Sequence, residues 1–136
     1  MDWNTSTGLV LECIDYRFIE KNHKFLKDNF INTFFDHFSL AGSSLGFNNN
    51  KNWRRTCIDN INLAIKLHNI KKIVILEHEE CKAYIETYND LRHDEDKEKE
   101  YHIANIKKCV KFLKRIYPGI NISGYYLSRS QDEKII

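Results

Sequence analysis

The sequence predicts an α/β fold in which helices flank a mostly parallel sheet. Short apolar runs such as residues 73–76 alternate with longer segments such as 101–117, where apolar residues recur every three or four positions. Strands that alternate with helices form parallel sheets with right-handed crossovers. We therefore expect one domain over residues 1–136, with a four-stranded sheet in the order 2-1-3-4.

Four segments are predicted as strands. They are residues 8–13, the aromatic-rich segment 33–39, residues 72–77 and residues 120–127. In the order 2-1-3-4, the first and third strands are neighbours where the strand order reverses. Binding sites of open α/β sheets lie beyond the carboxyl ends of the strands at this point.

Helices are predicted at residues 18–31, 53–68, 83–91 and 101–117. The last of these has the clearest apolar stripe, and Pro118 ends it. We predict that the intervening segments lie at the surface. Residues 41–46 and 48–50 are expected to be loop, the charged run 93–100 a solvated loop or a helix start, and the tail from Ser128 mostly polar.

Composition excludes several classes of protein. The net charge of +2 does not indicate a nucleic-acid partner, and no apolar run approaches the roughly 20 residues of a membrane span. Residues 1–12 lack the features of a signal peptide. Because the four cysteines are widely spaced, we expect thiols rather than disulfides, and a cytoplasmic protein with neither a membrane nor a nucleic-acid partner.

Two of the predicted strand ends carry residue types that bind zinc. Cys13 ends the first strand, His78 follows the third, and Cys81 comes three residues later. Imidazole and thiolate are preferred zinc ligands. We predict that the three residues form one site, and three protein ligands with an open position are typical of a catalytic zinc.

Asp15 and Arg17 follow Cys13 at a spacing that lets their side chains pair. A carboxylate held by a guanidinium stays ionised and fixed in orientation. Beside zinc, Asp15 could accept the hydrogen bond of a zinc-bound hydroxide; a purely structural ion pair is the alternative. Gly42 and Ser43 could line the pocket with backbone N–H groups, or form a loop that needs a glycine.

Two motifs resemble those of the β-class carbonic anhydrases. Cys13-Ile-Asp-Tyr-Arg17 resembles the C-x-D-x-R motif of that family, and His78-Glu-Glu-Cys81 resembles its H-x-x-C motif. Residues 41–42 resemble the alanine-glycine pair after the family's second strand, and 122–126 its last core strand. The resemblance covers roughly residues 8–128, and the two motifs together are far more specific than either alone.

The resemblance implies zinc-dependent, reversible hydration of carbon dioxide to bicarbonate, with zinc held by Cys13, His78 and Cys81. It implies that Asp15 orients the zinc-bound hydroxide while Arg17 holds Asp15, and it makes Asp15 a candidate fourth ligand. It further implies a homodimer, with the pocket close to the subunit interface.

Two residues depart from the family pattern. Glu77 and Lys82 stand where the family usually has glycine, and we expect them to add bulk and charge beside the metal. The departures leave two alternatives. One is a zinc hydrolase of a related small electrophile, carbonyl sulfide or carbon disulfide, and the other is a carbonic-anhydrase-like metal-binding protein without turnover.

Overall fold

The computed structural model describes residues 6–136. Residues 1–5, which belong to the segment considered as a signal peptide, lie outside the described residues. Within the described chain, five strands form one sheet in the order β2-β1-β3-β4-β5. The strands are β1 (Ser6–Cys13), β2 (Thr33–Leu40), β3 (Lys72–His78), β4 (Asn121–Leu127) and β5 (Asp132–Lys134).

Helices connect the strands and cover both faces of the sheet. They are α1 (Ile19–Asn29), preceded by a 3-10 turn (Tyr16–Phe18), α2 (Ser44–Asn49), α3 (Lys51–His68), α4 (Lys82–Thr87) and α5 (Glu95–Ile116). The longest two begin at side-chain caps, because the Asn50 side chain accepts the Trp53 N–H and the Asp94 side chain accepts the Lys97 N–H. No helix of residues 6–136 is long and apolar enough to cross a membrane.

The α/β class and the order 2-1-3-4 are confirmed, since β1 pairs in parallel with both β2 and β3, and β3 in parallel with β4. The strand count of four is wrong. Asp132–Lys134 forms a fifth strand, antiparallel to β4. Ser128 and Gln131 close the connecting turn through their backbone groups at 3.0 Å. A three-residue polar strand has no apolar pattern to reveal it.

Both faces of the central strand β3 are buried, which explains its unbroken apolar sequence. Val74 and Leu76 face α1, where they pack with Phe25 and Leu26. The neighbouring side chains face the opposite layer of α2, α3 and α5. That larger cluster includes Leu11, Phe47, Ile61, Ile73, Ile75, Ile106 and Leu113.

Two surface predictions need correction. Residues 44–49 form α2 rather than loop, because Leu45 and Phe47 are buried and their burial outweighs the weak helix propensity of glycine and asparagine. The charged run 93–100 does contain a helix start, since α5 begins at Glu95. However, Glu98 is only 8% exposed, so this run is not uniformly solvated.

Gly124 in β4 lies directly under α5, and a Cβ there would overlap Ile106 Cγ2. We expect Gly124→Ala to lower the free energy of unfolding by about 1–3 kcal/mol through overpacking, as measured by urea denaturation. Gly119→Ala is the matched control, because an added Cβ there meets no atom of the described residues within 4 Å. Equal stability of the two variants would contradict this account of the β4–α5 contact.

Candidate metal centre

Cys13, His78 and Cys81 converge at the carboxyl ends of β1 and β3. Cys13 and His78 are the last residues of these strands, and Cys81 is the N-cap of α4. Their ligand atoms lie within 4.8 Å of one another and all three residues are buried. The two Sγ atoms are 3.9 Å apart. Two zinc–sulfur bonds of about 2.3 Å at a tetrahedral angle would separate them by about 3.8 Å.

The His78 ring is oriented to offer Nε2 to this cluster. Its Nδ1 lies 2.8 Å from the Glu79 carbonyl oxygen, which can only accept, so Nδ1 carries the proton. Nε2 is buried and has no hydrogen-bond partner among the described residues. Phe18 stacks on the ring with centroids 4.1 Å apart and fixes its plane. An orphaned, buried lone pair beside two sulfurs is what a zinc ion fits.

The thiols of Cys13 and Cys81 differ in pKa. The pKa of Cys13 is lowered, chiefly because the Cys81 thiol donates a hydrogen bond to its sulfur and further by the Gly42 N–H, although burial opposes this. The pKa of Cys81 is raised by the neighbouring Cys13 sulfur and by burial. Of the two thiols, Cys13 therefore loses its proton more readily, and binding of a divalent ion would displace the thiol protons.

Asp15 and Arg17 form a bidentate pair next to the cluster. Arg17 Nε donates to Asp15 Oδ1 at 3.1 Å and Arg17 Nη2 to Asp15 Oδ2 at 2.7 Å. These hydrogen bonds lower the pKa of Asp15 to about 2, so the carboxylate is ionised at neutral pH. Asp15 Oδ2 lies 3.8 Å from His78 Nε2, which places the carboxylate at the edge of the cluster.

The loop of Gly42 and Ser43 contacts the cluster from the β2 side. The Gly42 N–H donates to Cys13 Sγ at 3.4 Å. The Ser43 N–H donates to the Leu40 carbonyl at 2.9 Å, and Ser43 Oγ donates to the Leu11 carbonyl at 3.3 Å. Both N–H groups thus have partners within the protein, and the contact of this loop with a substrate stays a prediction.

The Glu77 carboxylate is engaged outside the metal cluster, whereas crowding by Lys82 stays a prediction. Side chains alternate along a strand, so Glu77 points to the opposite face of β3 from His78. Its carboxylate accepts hydrogen bonds from the Ser44 N–H at 2.9 Å and from the Tyr84 hydroxyl. Lys82 is exposed at the start of α4.

Sequence reasoning missed a buried polar network behind the cluster. His102 lies between Glu77 and Glu98, and Glu98 Oε2 accepts the Cys81 N–H at 3.2 Å. The spacing of Glu98 and His102 could have indicated this network, because residues four apart lie on one face of a helix.

The fold and the cluster together define a class: α/β proteins with a candidate Cys-His-Cys metal site at the carboxyl ends of adjacent parallel strands. Residues 3–136 match the sequence model of the family described as "Putative carbonic anhydrase", and the chain belongs to this family.

Two bacterial relatives are similar over most of the chain. An uncharacterized protein of Rickettsia bellii is 34% identical over 122 residues, which are 88% of this chain and 74% of the relative. An uncharacterized protein of Rickettsia conorii is also 34% identical over 122 residues, which are 88% of this chain and 66% of the relative.

Solved structures share the fold at low sequence identity. The β-carbonic anhydrase CafA of Aspergillus fumigatus is 12% identical, with a TM-score of 0.63 over 96% of this chain and 75% of that one. Isoform I from Trichomonas vaginalis is 16% identical, with a TM-score of 0.63 over 100% of this chain and 87% of that one. A tetrameric β-carbonic anhydrase of Sordaria macrospora is 15% identical, with a TM-score of 0.59 over 96% of this chain and 80% of that one. The resemblance to β-class carbonic anhydrases is confirmed for family and fold.

Proposed function

We propose that this protein is a zinc-dependent carbonic anhydrase that interconverts carbon dioxide and water with bicarbonate and a proton. The observation that carries the proposal is the approach of two sulfurs and an orphaned imidazole nitrogen within 4.8 Å of one another. Family membership and the shared fold support the choice of reaction.

Cys13, His78 and Cys81 would hold the ion, with Asp15 close enough to become a fourth ligand after leaving Arg17. Zinc, when bound, supplies a Lewis acid that makes water nucleophilic near neutral pH. Asp15 would accept a hydrogen bond from the attacking water and aim its lone pair at the carbon of carbon dioxide. Arg17 keeps Asp15 ionised and stationary, since it donates through both Nε and Nη2.

We assign substrate binding to the loop of Gly42 and Ser43. The loop contacts Cys13 Sγ directly, and Gly42 has a φ of 76°, which lets the backbone approach the sulfur closely. The contact of this loop with a predicted metal ligand supports the assignment.

We propose a homodimer that buries apolar side chains beside the site. Ile14 and Tyr16 flank Asp15 and are 63% and 81% exposed, so they offer an apolar surface beside the site that a second copy of the chain could cover. The Sordaria macrospora relative by fold is tetrameric. Light scattering after gel filtration should give twice the mass of one chain.

The cysteines of residues 6–136 form no disulfide, which favours the reducing cytoplasm as the location of this protein.

The alternative of a protein without turnover depended on crowding by Glu77 and Lys82. The Glu77 carboxylate is engaged by Tyr84 and His102, and Lys82 is exposed. The engagement of Glu77 elsewhere supports a protein with turnover over this alternative.

Metal analysis and a stopped-flow assay on the same purified sample test the proposal. We expect one zinc per chain and carbon dioxide hydration above the buffer rate, lost on chelation and restored by added zinc. The same sample is tested with carbonyl sulfide and carbon disulfide to separate the hydrolase alternative. A fully zinc-loaded protein without hydration would reject the proposal.

A further inference from the structure

We propose that Glu98 is a positioning residue for Cys81, and that His102, anchored on Glu77, holds Glu98 in place. The inference rests on one part of the proposed function, namely that Cys81 binds zinc. It assigns a role to a buried carboxylate that lies 17 residues from Cys81, on another helix.

The turn that carries Cys81 has an unfavourable backbone. Glu80 has a φ of 55°, in the left-handed region that residues with a Cβ avoid. Such a conformation persists only where surrounding contacts hold it. Cys81 follows directly, and as the N-cap of α4 its N–H has no partner within the helix.

Arginines hold the outer side of this turn. Arg17 Nη2 donates to the Glu80 carbonyl at 2.8 Å, and the Arg129 N–H donates to the Glu79 carboxylate at 2.6 Å. On the buried side, Glu98 Oε2 accepts the Cys81 N–H at 3.2 Å. Glu98 is therefore the contact that acts on the ligand residue itself.

Glu98 cannot turn away, because His102 holds the same oxygen. His102 Nε2 lies 2.9 Å from Glu98 Oε2, and Nδ1 lies 2.9 Å from Glu77 Oε1. Each ring nitrogen of His102 therefore has a carboxylate oxygen as its hydrogen-bond partner. His102 is 1% exposed, which leaves its ring fixed between the two carboxylates.

Glu77 anchors the far end of this network. It accepts the Ser44 N–H at 2.9 Å and the Tyr84 hydroxyl, so it is held by α2 and α4. A polar network in which every member has a partner is rigid. The network therefore fixes the position of the Cys81 N–H, and the fixed backbone in turn orients the Cys81 Sγ.

Zinc affinity is the direct measure of this role. We expect Glu98→Ala to bind zinc about 10- to 100-fold more weakly in chelator competition, because outer-shell partners of metal ligands have effects of this size. Cobalt substitution should also show altered thiolate-to-metal and ligand-field bands. Glu98→Gln, whose amide oxygen can still accept the Cys81 N–H, should restore most of both. Glu100→Ala, an exposed residue of the same helix, is the matched control.

Wild-type zinc affinity and an unchanged cobalt spectrum in Glu98→Ala would overturn the proposal. If that variant does not fold, amide hydrogen exchange decides. The Cys81 N–H should exchange slowly in the metal-free wild-type protein and in Glu98→Gln, and rapid exchange in the wild type would overturn the proposal. Because no readout uses carbon dioxide, a zinc protein that shows these effects without hydration would reject only the hydratase.

Discussion

Replacing Cys81 with serine is expected to weaken zinc binding by roughly 100-fold while leaving the fold intact. Serine is close to cysteine in shape, but its hydroxyl does not ionise near neutral pH and is a poor zinc ligand. Zinc sites with four protein ligands release roughly 10–16 kcal/mol, so one lost ligand costs about 3 kcal/mol, or roughly 100-fold in affinity. Metal analysis after gel filtration, in a chelator concentration that leaves the parent protein loaded, measures the effect, and circular dichroism checks folding.

Cys57→Ala is the control for the loss of a buried cysteine. Cys57 lies in the core beside Ile61 and is fully buried, and burial raises the pKa of its thiol to about 12. Cys57 is not part of the cluster of Cys13, His78 and Cys81, so we expect it to have no role in metal binding. We expect Cys57→Ala to keep one zinc per chain, with lower stability from the cavity. One zinc per chain in Cys81→Ser would remove Cys81 from the ligand set.

The central strand β3 could be predicted because burial on both faces constrains its residue types. A parallel strand covered on both faces must be apolar at successive positions, as residues 73–76 are. The strand β5 has no such constraint. The Gly124 carbonyl accepts the Ile135 N–H, and the Gly124 N–H donates to the Ile136 carbonyl. Main-chain groups therefore hold the tail there, and their pairing does not depend on the residue types.

The metal cluster could also be predicted, since parallel strands bring their carboxyl ends to one edge of the sheet. The orientation of the Glu77 side chain could also be predicted, because successive side chains of a strand point to opposite faces of the sheet. Its position next to His78 in the sequence suggested proximity to the metal instead. The role of Glu98 could not be derived in this way. Its partner Cys81 is the N-cap of α4, and only tertiary packing brings α5 against that turn.

Replacing Asp15 with asparagine is expected to preserve zinc binding and lower carbon dioxide hydration by about 100-fold. Asparagine keeps the shape but presents an amide to Arg17, so the bidentate pair is lost and the attacking water has no fixed anionic acceptor. The pKa of Asp15 is lowered to about 2, chiefly by the hydrogen bonds from Arg17, and Asp15 is protonated only below that pH. The deficit should therefore be constant between about pH 6 and 9.

Stopped-flow hydration across this pH range, on samples matched for zinc content, measures the effect. Asp28→Asn is the control, because Asp28 pairs with Lys24 on the exposed face of α1. It removes a carboxylate charge without touching the metal cluster and should retain full activity. If Asp15→Asn turned over as fast as the parent, Asp15 would have no part in orienting the nucleophile, and its pair with Arg17 would be structural. A deficit that appeared only at one end of the range would instead implicate a group that titrates there, which Asp15 does not.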